Sequence, residues 1–211
     1  MHKPVMLTEV LDVLSPQAGE VYVDATFGEG GYSRAILERA TCSVVALDRD
    51  PEALRHANFL EKEYPSSFTF YNTPFGEMKQ FLSQQAYDGI VFDLGVSSPQ
   101  LDERERGFSF KKEGPLDMRM SRTGIRAADV VNTYEEKELA DILWIYGEER
   151  RSRAIARAIL EKRKDSPFTT TTQLADCVRK VVRFERPSFD PATRTFQALR
   201  LYVNKELEQL E

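Results

Sequence analysis

The residues best suited to chemistry in this chain are a group of glycines and the carboxylates that stand near them. Gly28, Gly30 and Gly31 follow a β-prone segment that ends in Asp24, and glycines at such a turn let backbone approach a ligand where a Cβ atom would clash. Asp48 ends the next apolar run, twenty residues after Gly28, at the spacing of an acid that binds ribose hydroxyls. The pattern predicts a nucleoside-cofactor site.

The spacing of these glycines favours S-adenosylmethionine over a dinucleotide. A dinucleotide turn carries its glycines as G-x-G-x-x-G, whereas Ser33 occupies the third glycine position here. S-adenosylmethionine has no pyrophosphate, so it needs only a glycine turn beside its methionine part and an acid for its ribose. An ordinary strand-to-helix turn would also explain the glycines, and a nicotinamide-dependent oxidoreductase is the alternative enzyme class.

A further carboxylate, Asp93, ends a later apolar run and is followed by a turn rich in Gly, Ser and Pro. At the carboxyl end of a strand it could bind the cofactor or accept a proton, and a carboxylate that braces the loop is the alternative. Gln100 offers a donor and an acceptor, which suits the edge of a nucleobase, although most loop glutamines have no such role.

Four β-prone segments alternate with helical patterns in the first half of the chain. This alternation predicts parallel βαβ units, which bind ligands at the carboxyl ends of their strands. The last strand has a buried apolar pattern, yet in a four-stranded sheet it would be an exposed edge, so we expect the chain to be the N-terminal part of a longer protein. The predicted strands span residues 21–25, 43–47, 68–71 and 87–93, and the predicted helices span 5–14, 33–40, 51–63 and 75–84.

The second half has a different pattern. Residues 95–125 form a long loop rich in Gly, Ser, Pro and charge, and such loops are usually functional. From residue 133 the chain is predicted to be helical, with Thr133 and Glu136 as a capping box and Gly147 as a stop. Further helices are predicted over 149–164 and 172–183, and a last helix follows Asp190-Pro191 with Phe196, Leu199, Val203 and Leu207 on one face.

Length and composition limit the classes of protein. With 211 residues and 41% hydrophobic content, the chain forms one domain or one domain with an insertion. It has no signal-peptide pattern and no apolar run of about 18 residues, which predicts no membrane span. Cys42 and Cys177 lie in apolar stretches, as buried thiols in a reducing cytoplasm do, and two cysteines with two histidines make a structural zinc site unexpected.

The charge of the chain is unevenly distributed. Residues 1–100 hold 7 Lys/Arg and 14 Asp/Glu, a net charge of −7, whereas residues 150–200 hold 13 and 5, a net charge of +8. This indicates an acidic small-molecule half and a basic segment facing a polyanion, and a solvated basic helix face explains it equally well. The cations predicted to bind phosphates along one helix are Arg150, Arg151, Arg153, Arg157, Lys162, Arg163 and Lys164.

Seven segments, in this order along the chain, resemble the ribosomal RNA small-subunit methyltransferase H family. The resemblance extends from about His2 to Glu211, and seven long motifs in order are far more specific than one glycine pattern. The segments are Asp24-Ala-Thr-Phe-Gly-Glu-Gly-Gly31, Ala46-Leu-Asp-Arg-Asp-Pro51, Phe92-Asp-Leu-Gly-Val-Ser-Ser-Pro-Gln-Leu-Asp102, Arg106-Gly-Phe-Ser-Phe110, Gly114-Pro-Leu-Asp-Met-Arg-Met120, Tyr146-Gly-Glu-Glu-Arg150 and Pro191-Ala-Thr-Arg-Thr-Phe-Gln197.

The resemblance implies the fold and the reaction. The expected fold is α/β: a class I S-adenosylmethionine-dependent methyltransferase with a Rossmann-like parallel sheet, incomplete at the C-terminus, and a helical insertion after strand four. The core would comprise 1–102 and 190–211, and the insertion 103–189. The implied cofactor is S-adenosylmethionine, and the implied reaction methylates the N4 amine of a cytidine in the decoding region of small-subunit ribosomal RNA.

The implied partner is small-subunit ribosomal RNA or the assembled small subunit, with no membrane. The oligomeric state is open, a dimer included. Family members continue through further strands, one of which ends near a Ser-Phe-His-Ser motif. If this chain ended at residue 211, a non-catalytic RNA-binding or assembly protein would be the alternative.

The resemblance also implies the site residues. Tyr32 stands where the family commonly has His, and Phe75 would lie against the adenine, with a core aromatic as the alternative. From the chemistry of the reaction, rather than from the resemblance, we expect Asp93 or a carbonyl of the Ser97-Ser98-Pro99 turn to accept the amine proton, so Asp93, Ser98 and Pro99 are the catalytic candidates. Phe108 or Phe110 could stack on the cytidine or pack the insertion. The implied cofactor contacts are Gly30, Gly31, Tyr32, Asp48, Phe75, Asp93 and Gln100.

Overall fold

The computed structural model describes residues 4–82, 86–182 and 190–210, which form two compact units. The first unit comprises the described residues of Met1–Ser97 and Glu208–Glu211, and the second comprises those of Ser98–Leu207. The second unit includes residues 190–207, which the sequence analysis assigned to the core. The predicted domain boundaries stay a prediction.

The first unit is built on a four-stranded parallel sheet, which confirms the predicted α/β class. The strands are rich in Val, Tyr and Phe, which fit a pleated, half-buried surface. In the sheet order β3-β2-β1-β4, the predicted bounds of β2 and β3 are correct to the residue. The elements are α1 (Leu7–Leu14), β1 (Val21–Asp24), α2 (Gly31–Arg39), β2 (Ser43–Leu47), α3 (Ala53–Glu63), β3 (Phe68–Tyr71) and β4 (Gly89–Val91).

Strand β4 differs from its prediction. It spans three residues rather than 87–93, and of these only Val91 is buried. Ile90 and Phe92 are 42% and 41% exposed, so the prediction of a fully buried strand was wrong. In the described chain β4 pairs only with β1, which confirms the expected apolar edge.

The segment after β3 forms a 3₁₀ helix over Phe75–Gln80 instead of the longer helix predicted to residue 84. Gly76, near its start, is a poor helix former, which favours a short element. The Gly76 amide donates to Oε1 of Gln209 at 3.1 Å. Residues 83–85 of the predicted helix lie outside the described residues.

The core of the first unit gathers around Phe27, which lies in the glycine turn. Its ring centroid is 5.5 Å from that of Phe68 and 5.2 Å from that of Phe70. Ile36 of α2 and Val44 of β2 are fully or almost fully buried in the same cluster. The turn is therefore anchored from below by an aromatic side chain.

The second unit is helical, and its central helix, α6, packs against α7 and α9. The fully buried side chains of this bundle include Leu139, Leu143, Ile155, Ile159 and Leu199. Its helices are α4 (Ser98–Asp102), α5 (Ala127–Thr133), α6 (Glu136–Gly147), α7 (Ser152–Asp165), α8 (Thr171–Val181) and α9 (Thr193–Val203), with a 3₁₀ turn at Arg104–Arg106.

Several predicted helix ends shift in this unit. Thr133 ends α5 and donates to the Asp129 carbonyl, so the predicted Thr133–Glu136 capping box was wrong. The residue that caps α6 is Glu135, whose amide donates to Oε2 of Glu138 at 3.0 Å. A run of adjacent glutamates hid this register, because several of them could serve as the first-turn acid.

The other ends differ by a few residues. Gly147 is the last residue of α6, as predicted, and the next residue, Glu148, takes the left-handed conformation with φ 49°. Helix α7 begins at Ser152 rather than 149, and α8 ends at Val181. Helix α9 ends at Val203, so Leu207 lies beyond the face on which it was predicted and is exposed.

Neither a membrane-spanning helix nor a metal-binding cluster is found in the ranges that the structure describes. Within them no helix is long and apolar enough to cross a membrane, and no group of His, Cys, Asp and Glu is arranged to hold a metal ion. Of the two thiols predicted to be buried, Cys42 is buried, whereas Cys177 is partly exposed.

Asn204, just after α9, holds part of the long loop predicted over 95–125. It is 2% exposed, its Oδ1 accepts from the Met120 amide at 2.8 Å, and its Nδ2 donates to the Met118 carbonyl at 2.7 Å. The loop is thus tied to the end of the bundle through buried backbone groups.

The substitution Asn204→Ala should lower the free energy of unfolding by roughly 2–4 kcal/mol, because it leaves a buried donor and a buried acceptor without partners. Urea denaturation measures this change. Gln197→Ala, at an exposed position of α9, is the matched control and should change stability by under about 0.5 kcal/mol. Equal stability of the two variants would show that the Asn204 amide does not hold the loop.

Candidate functional site

The candidate site lies at the carboxyl ends of β1 and β4. The chain leaves β1 toward β2 and β3 and then returns to β4 on the other side of β1. Such a reversal is a topological switch point, and open α/β sheets bind ligands in the crevice that it forms. Asp24 ends β1, and Asp93 lies two residues beyond β4.

The glycines of the turn have two different structural roles. A Cβ atom on Gly30 would lie 2.7 Å from the Phe27 ring, and one on Gly31 would lie 2.3 Å from Cγ of Pro4. Close packing therefore requires glycine at both positions. Gly28 has φ 55°, and a Cβ atom there would meet open space, so its backbone faces an unfilled region.

The Asp48 carboxylate is fixed against the glycine turn. Its Oδ2 accepts from the Gly28 amide at 2.6 Å, and its Oδ1 accepts from the Asp50 amide at 2.8 Å. Burial raises the pKa of Asp48, and these two hydrogen bonds oppose that rise. Each carboxylate oxygen keeps a second lone pair, so the group can still accept from a pair of hydroxyls.

Asp24 has a structural role that explains why a serine, and not a third glycine, occupies position 33. The Asp24 carboxyl is fully buried; its Oδ2 accepts from Oγ of Ser33 at 2.7 Å and its Oδ1 from the Thr26 amide at 3.3 Å. Burial raises the pKa of Asp24 to about 6. Ser33 therefore supplies a hydroxyl to a desolvated acid, which a third glycine could not do.

Two residues that the sequence analysis passed over hold the strand ends in place. Oγ1 of Thr26 accepts from the Asp93 amide at 2.7 Å, and Nδ2 of Asn72 donates to the Asp48 carbonyl at 2.8 Å. Each is a polar residue within two positions of a strand end, and that position was the signal available in the sequence.

Tyr32 lies in the first turn of α2 and is buried. Its hydroxyl donates to the Val5 carbonyl at 2.5 Å. Burial raises the pKa of Tyr32, and the negative charges of Asp93 and Asp24 raise it further. The phenol is thus close enough to Asp93 to sense its charge, although the structure uses it to hold the N-terminal segment.

An aromatic pair stands beside Asp93. The rings of Phe75 and Phe92 meet edge to face with centroids 5.4 Å apart, and Phe75 is half-buried rather than enclosed in the core. The Asp93 residue itself is exposed. This edge of the unit offers an apolar surface next to a carboxylate, which suits a flat heterocycle.

The remaining predicted site residues belong to the second unit. Ser98 and Pro99 open helix α4 instead of forming a turn, and the Pro99 carbonyl accepts from the Glu103 amide at 2.9 Å. Gln100 is 4% exposed. The predicted turn was wrong, and the catalytic and cofactor roles of these three residues stay predictions.

The two phenylalanines considered for base stacking are packed within the second unit. Phe108 is 7% exposed, with the Arg106 guanidinium 5.8 Å from its ring centroid. The ring of Phe110 meets that of Phe196 at 4.7 Å. These two rings therefore pack within the unit, which was the alternative to stacking on the cytidine.

The basic residues were predicted to lie along one helix. The prediction was wrong for Arg150 and Arg151, which precede α7. Arg163 donates to the carbonyls of Val131 at 3.0 Å and Tyr134 at 2.7 Å, so it caps the end of α5. Ion pairs join Arg157 to Glu136, Lys162 to Asp165 and Lys164 to Glu161.

Comparison with known proteins gives a consistent result. The whole chain, residues 1–211, matches the model of the MraW methylase family. It is 57% identical over 213 residues to the ribosomal RNA small subunit methyltransferase H of Rhodospirillum rubrum, covering 100% of this chain and 65% of that protein. It is 53% identical over 210 residues to the protein of the same name from Rickettsia akari, covering 100% of this chain and 69% of that protein.

The chain thus spans about two thirds of the length of these relatives. A solved structure described as an rRNA methylase from Streptococcus thermophilus is 16% identical, with a TM-score of 0.39 over 45% of this chain and 58% of its own. That likeness is too weak to support a conclusion.

Asp24→Asn should change how stability depends on pH. Because the folded-state pKa of Asp24 is about 6 and the ordinary value is 3.8, its favourable contribution is present below about pH 4 and is lost as pH rises through 6. The stability of the wild type relative to the variant should therefore fall by roughly 2–3 kcal/mol between pH 4 and 7.

Urea denaturation across this pH range gives the difference between the two proteins. Asp12→Asn, at an exposed position of α1, is the control and should run parallel to the wild type. A difference between Asp24→Asn and wild type that is constant with pH would show that the Asp24 carboxyl keeps an ordinary pKa.

Proposed function

Because the chain belongs to the MraW methylase family, we propose that it is the cofactor-binding part of an S-adenosylmethionine-dependent methyltransferase of small-subunit ribosomal RNA. The observation that carries this proposal is the Asp48 carboxylate held against the glycine turn at the switch point of the sheet. We further propose that the target is the exocyclic N4 amine of a cytidine in the decoding region.

The residues of the first unit fit the proposed cofactor. Asp48 would accept from the two ribose hydroxyls through its remaining lone pairs, and the open backbone at Gly28 would lie beside the methionine part. The Phe75–Phe92 pair would contact the adenine. When bound, S-adenosylmethionine supplies a methyl group on a sulfonium, which is activated for transfer to a nucleophile.

The chemical difficulty lies in the nucleophile. The lone pair of the cytosine N4 amine is delocalised into the ring, so the enzyme must localise it and align it for in-line displacement. Positioning of two reactants can supply up to roughly 7–11 kcal/mol of the barrier reduction. As the N4–C bond forms and the S–C bond breaks, the amine loses a proton.

Asp93 is the acceptor that we propose for that proton. Its backbone is fixed by Thr26, its side chain is exposed, and it follows the strand at the switch point. A backbone carbonyl of residues 97–99 is the second candidate. The target base must leave its stack to reach such a group, as with other enzymes that act on bases.

The exposed cations of the second unit support a polyanionic substrate. Arg150, Arg151 and Arg153 are exposed, and the described chain pairs none of them with an acid. Contacts of this kind position nucleic acid through its phosphates and weaken as salt increases. A non-catalytic RNA-binding or assembly protein would share this surface but would not need the Asp48 arrangement. A nicotinamide-dependent oxidoreductase would need neither the cations nor Ser33.

Cofactor binding is the first test. Titration of the 211-residue chain with S-adenosylhomocysteine should give saturable binding, and Asp48→Asn should weaken it about tenfold or more, since a charge-assisted hydrogen bond contributes roughly 1.5–3 kcal/mol. Asp12→Asn, in an exposed part of α1, should bind as the wild type does. Folded protein that binds NAD but not S-adenosylhomocysteine would favour the oxidoreductase.

Methyl transfer is the second test. Small ribosomal subunits that lack the mark, incubated with labelled S-adenosylmethionine and the chain, should yield label in N4-methylcytidine after nucleoside analysis. At saturating S-adenosylmethionine, Asp93→Asn should lower the rate roughly 100-fold or more, because the loss is that of a proton acceptor. Label in adenosine or in protein would refute the proposed target.

A further inference from the structure

Helix α6 exposes a large aromatic side chain to solvent. Trp144 is 56% exposed and its neighbour Ile145 is 63% exposed, whereas Leu139 and Leu143 of the same helix are fully buried. Trp144 is the single tryptophan of the chain. One exposed apolar residue needs no explanation, so what matters is the surface on which this one lies.

The contacts of α6 show which side of the helix Trp144 occupies. Tyr146 marks the side that faces α9, since its ring lies 5.7 Å from that of Tyr202. Glu136 marks the side that faces α7, since its Oε1 lies 3.5 Å from an Arg157 nitrogen. With about 100° of rotation per residue, Trp144 lies about 160° from Tyr146 and about 80° from Glu136 around the helix axis. Trp144 is therefore on the flank of α6 that borders α7.

The cations without acidic partners lie at the same end of this helix pair. Only residues 148–151 join α6 to α7, so Arg150 and Arg151 are at the end where Trp144 lies. The Glu136–Arg157 pair sets the register of the two helices, and it places Arg153 about 6 Å along the axis from the level of Trp144.

The local charge is positive. The exposed acids near Trp144 are Asp141, one turn earlier on the helix, and Glu148, one turn later. Against these two stand Lys137 and the arginines at 150, 151 and 153, which leaves a net charge of about +2. The surface combines one aromatic face with guanidinium groups, as surfaces that bind single-stranded nucleic acid do.

We propose that Trp144 is a platform on which an unpaired base of single-stranded RNA stacks while Arg150, Arg151 and Arg153 bind the adjoining phosphates. The proposal rests on the proposed function and specifies where the second unit contacts its RNA. It assigns to Trp144 the stacking role for which Phe108 and Phe110 are too closely packed.

The single tryptophan makes the test direct. The 211-residue chain is titrated with a fluorescein-labelled, cytidine-rich single-stranded decamer of RNA, followed by anisotropy, and with the unlabelled decamer, followed by tryptophan emission. The RNA should quench the tryptophan emission saturably, and the midpoint of this quenching curve should equal the midpoint of the anisotropy curve. The RNA concentration at both midpoints should increase as salt is added. Binding with unchanged tryptophan emission would overturn the proposal, and so would the absence of RNA binding.

Variants separate stacking from general effects. Trp144→Ala should weaken binding of the decamer about 5- to 150-fold, the loss expected for one base–aromatic stack, while Trp144→Phe should keep most of the affinity. Ile145→Ala removes a similarly exposed apolar residue that faces away from α7, and it should bind as the wild type does. If Trp144→Ala and the wild type bound the decamer with equal affinity, the proposal would be wrong.

Two further outcomes point to other occupants. If a perfect RNA duplex quenched the emission as strongly as the decamer, the contact would not be a base stack. If the emission changed with protein concentration alone, the surface would bind a second copy of the chain. S-adenosylhomocysteine binding by the wild type, measured in parallel, distinguishes failure here from failure of the proposed function. If the wild type binds it but shows no tryptophan quenching with RNA, only the stacking role fails.

Discussion

The candidate site depends on one carboxylate that accepts hydrogen bonds from two backbone amides. Asp48 is the point where the turn after β1 meets the end of β2, through the Gly28 amide on one oxygen and the Asp50 amide on the other. The turn is also held by the packing of the Phe27 ring and by the Phe27 amide, which donates to the Leu47 carbonyl at 2.9 Å. Each oxygen of the carboxylate keeps a second lone pair after these two bonds, and the proposed cofactor role depends on those lone pairs. The two amides bind to two different oxygens of the side chain, both of which must be acceptors, which explains why an acid and not an amide stands there.

The other acids around the crevice show how burial divides similar residues into different roles. Asp24 is fully enclosed, with Ser33 and the Thr26 amide as its partners, so it supports the site from behind. Asp93 is exposed, and its amide donates to Oγ1 of Thr26. A desolvated carboxyl with an elevated pKa and a solvated one at a strand end cannot exchange functions. The residue type alone does not reveal this division, because each acid follows an apolar run.

The sequence predicted those features that depend on local periodicity or on spacing along the chain. Strands β2 and β3 had the correct bounds, and the fixed offset from Gly28 singled out Asp48 as a candidate, although its hydrogen bond to the Gly28 amide was not predicted. The predictions failed where tertiary neighbours decide. The apolar run of β4 was taken as buried, but the described chain places no strand on its outer side. Arg163 was counted with the phosphate-binding cations, but it donates hydrogen bonds to the carbonyls at the end of α5.

The tie between Asn204 and residues Met118 and Met120 has a consequence for biosynthesis. It spans 84 to 86 positions of the chain and joins the loop to a residue that is translated much later. All four strands of the sheet lie before residue 92, so that unit can complete its backbone pairing while synthesis continues. The helical unit must wait until residue 204 has emerged, and at about 5–20 residues per second this delay is roughly 6 to 23 seconds. Until then the Met118 carbonyl and the Met120 amide lack their Asn204 partner, and the side of α6 that packs against α9 has no helix to cover it.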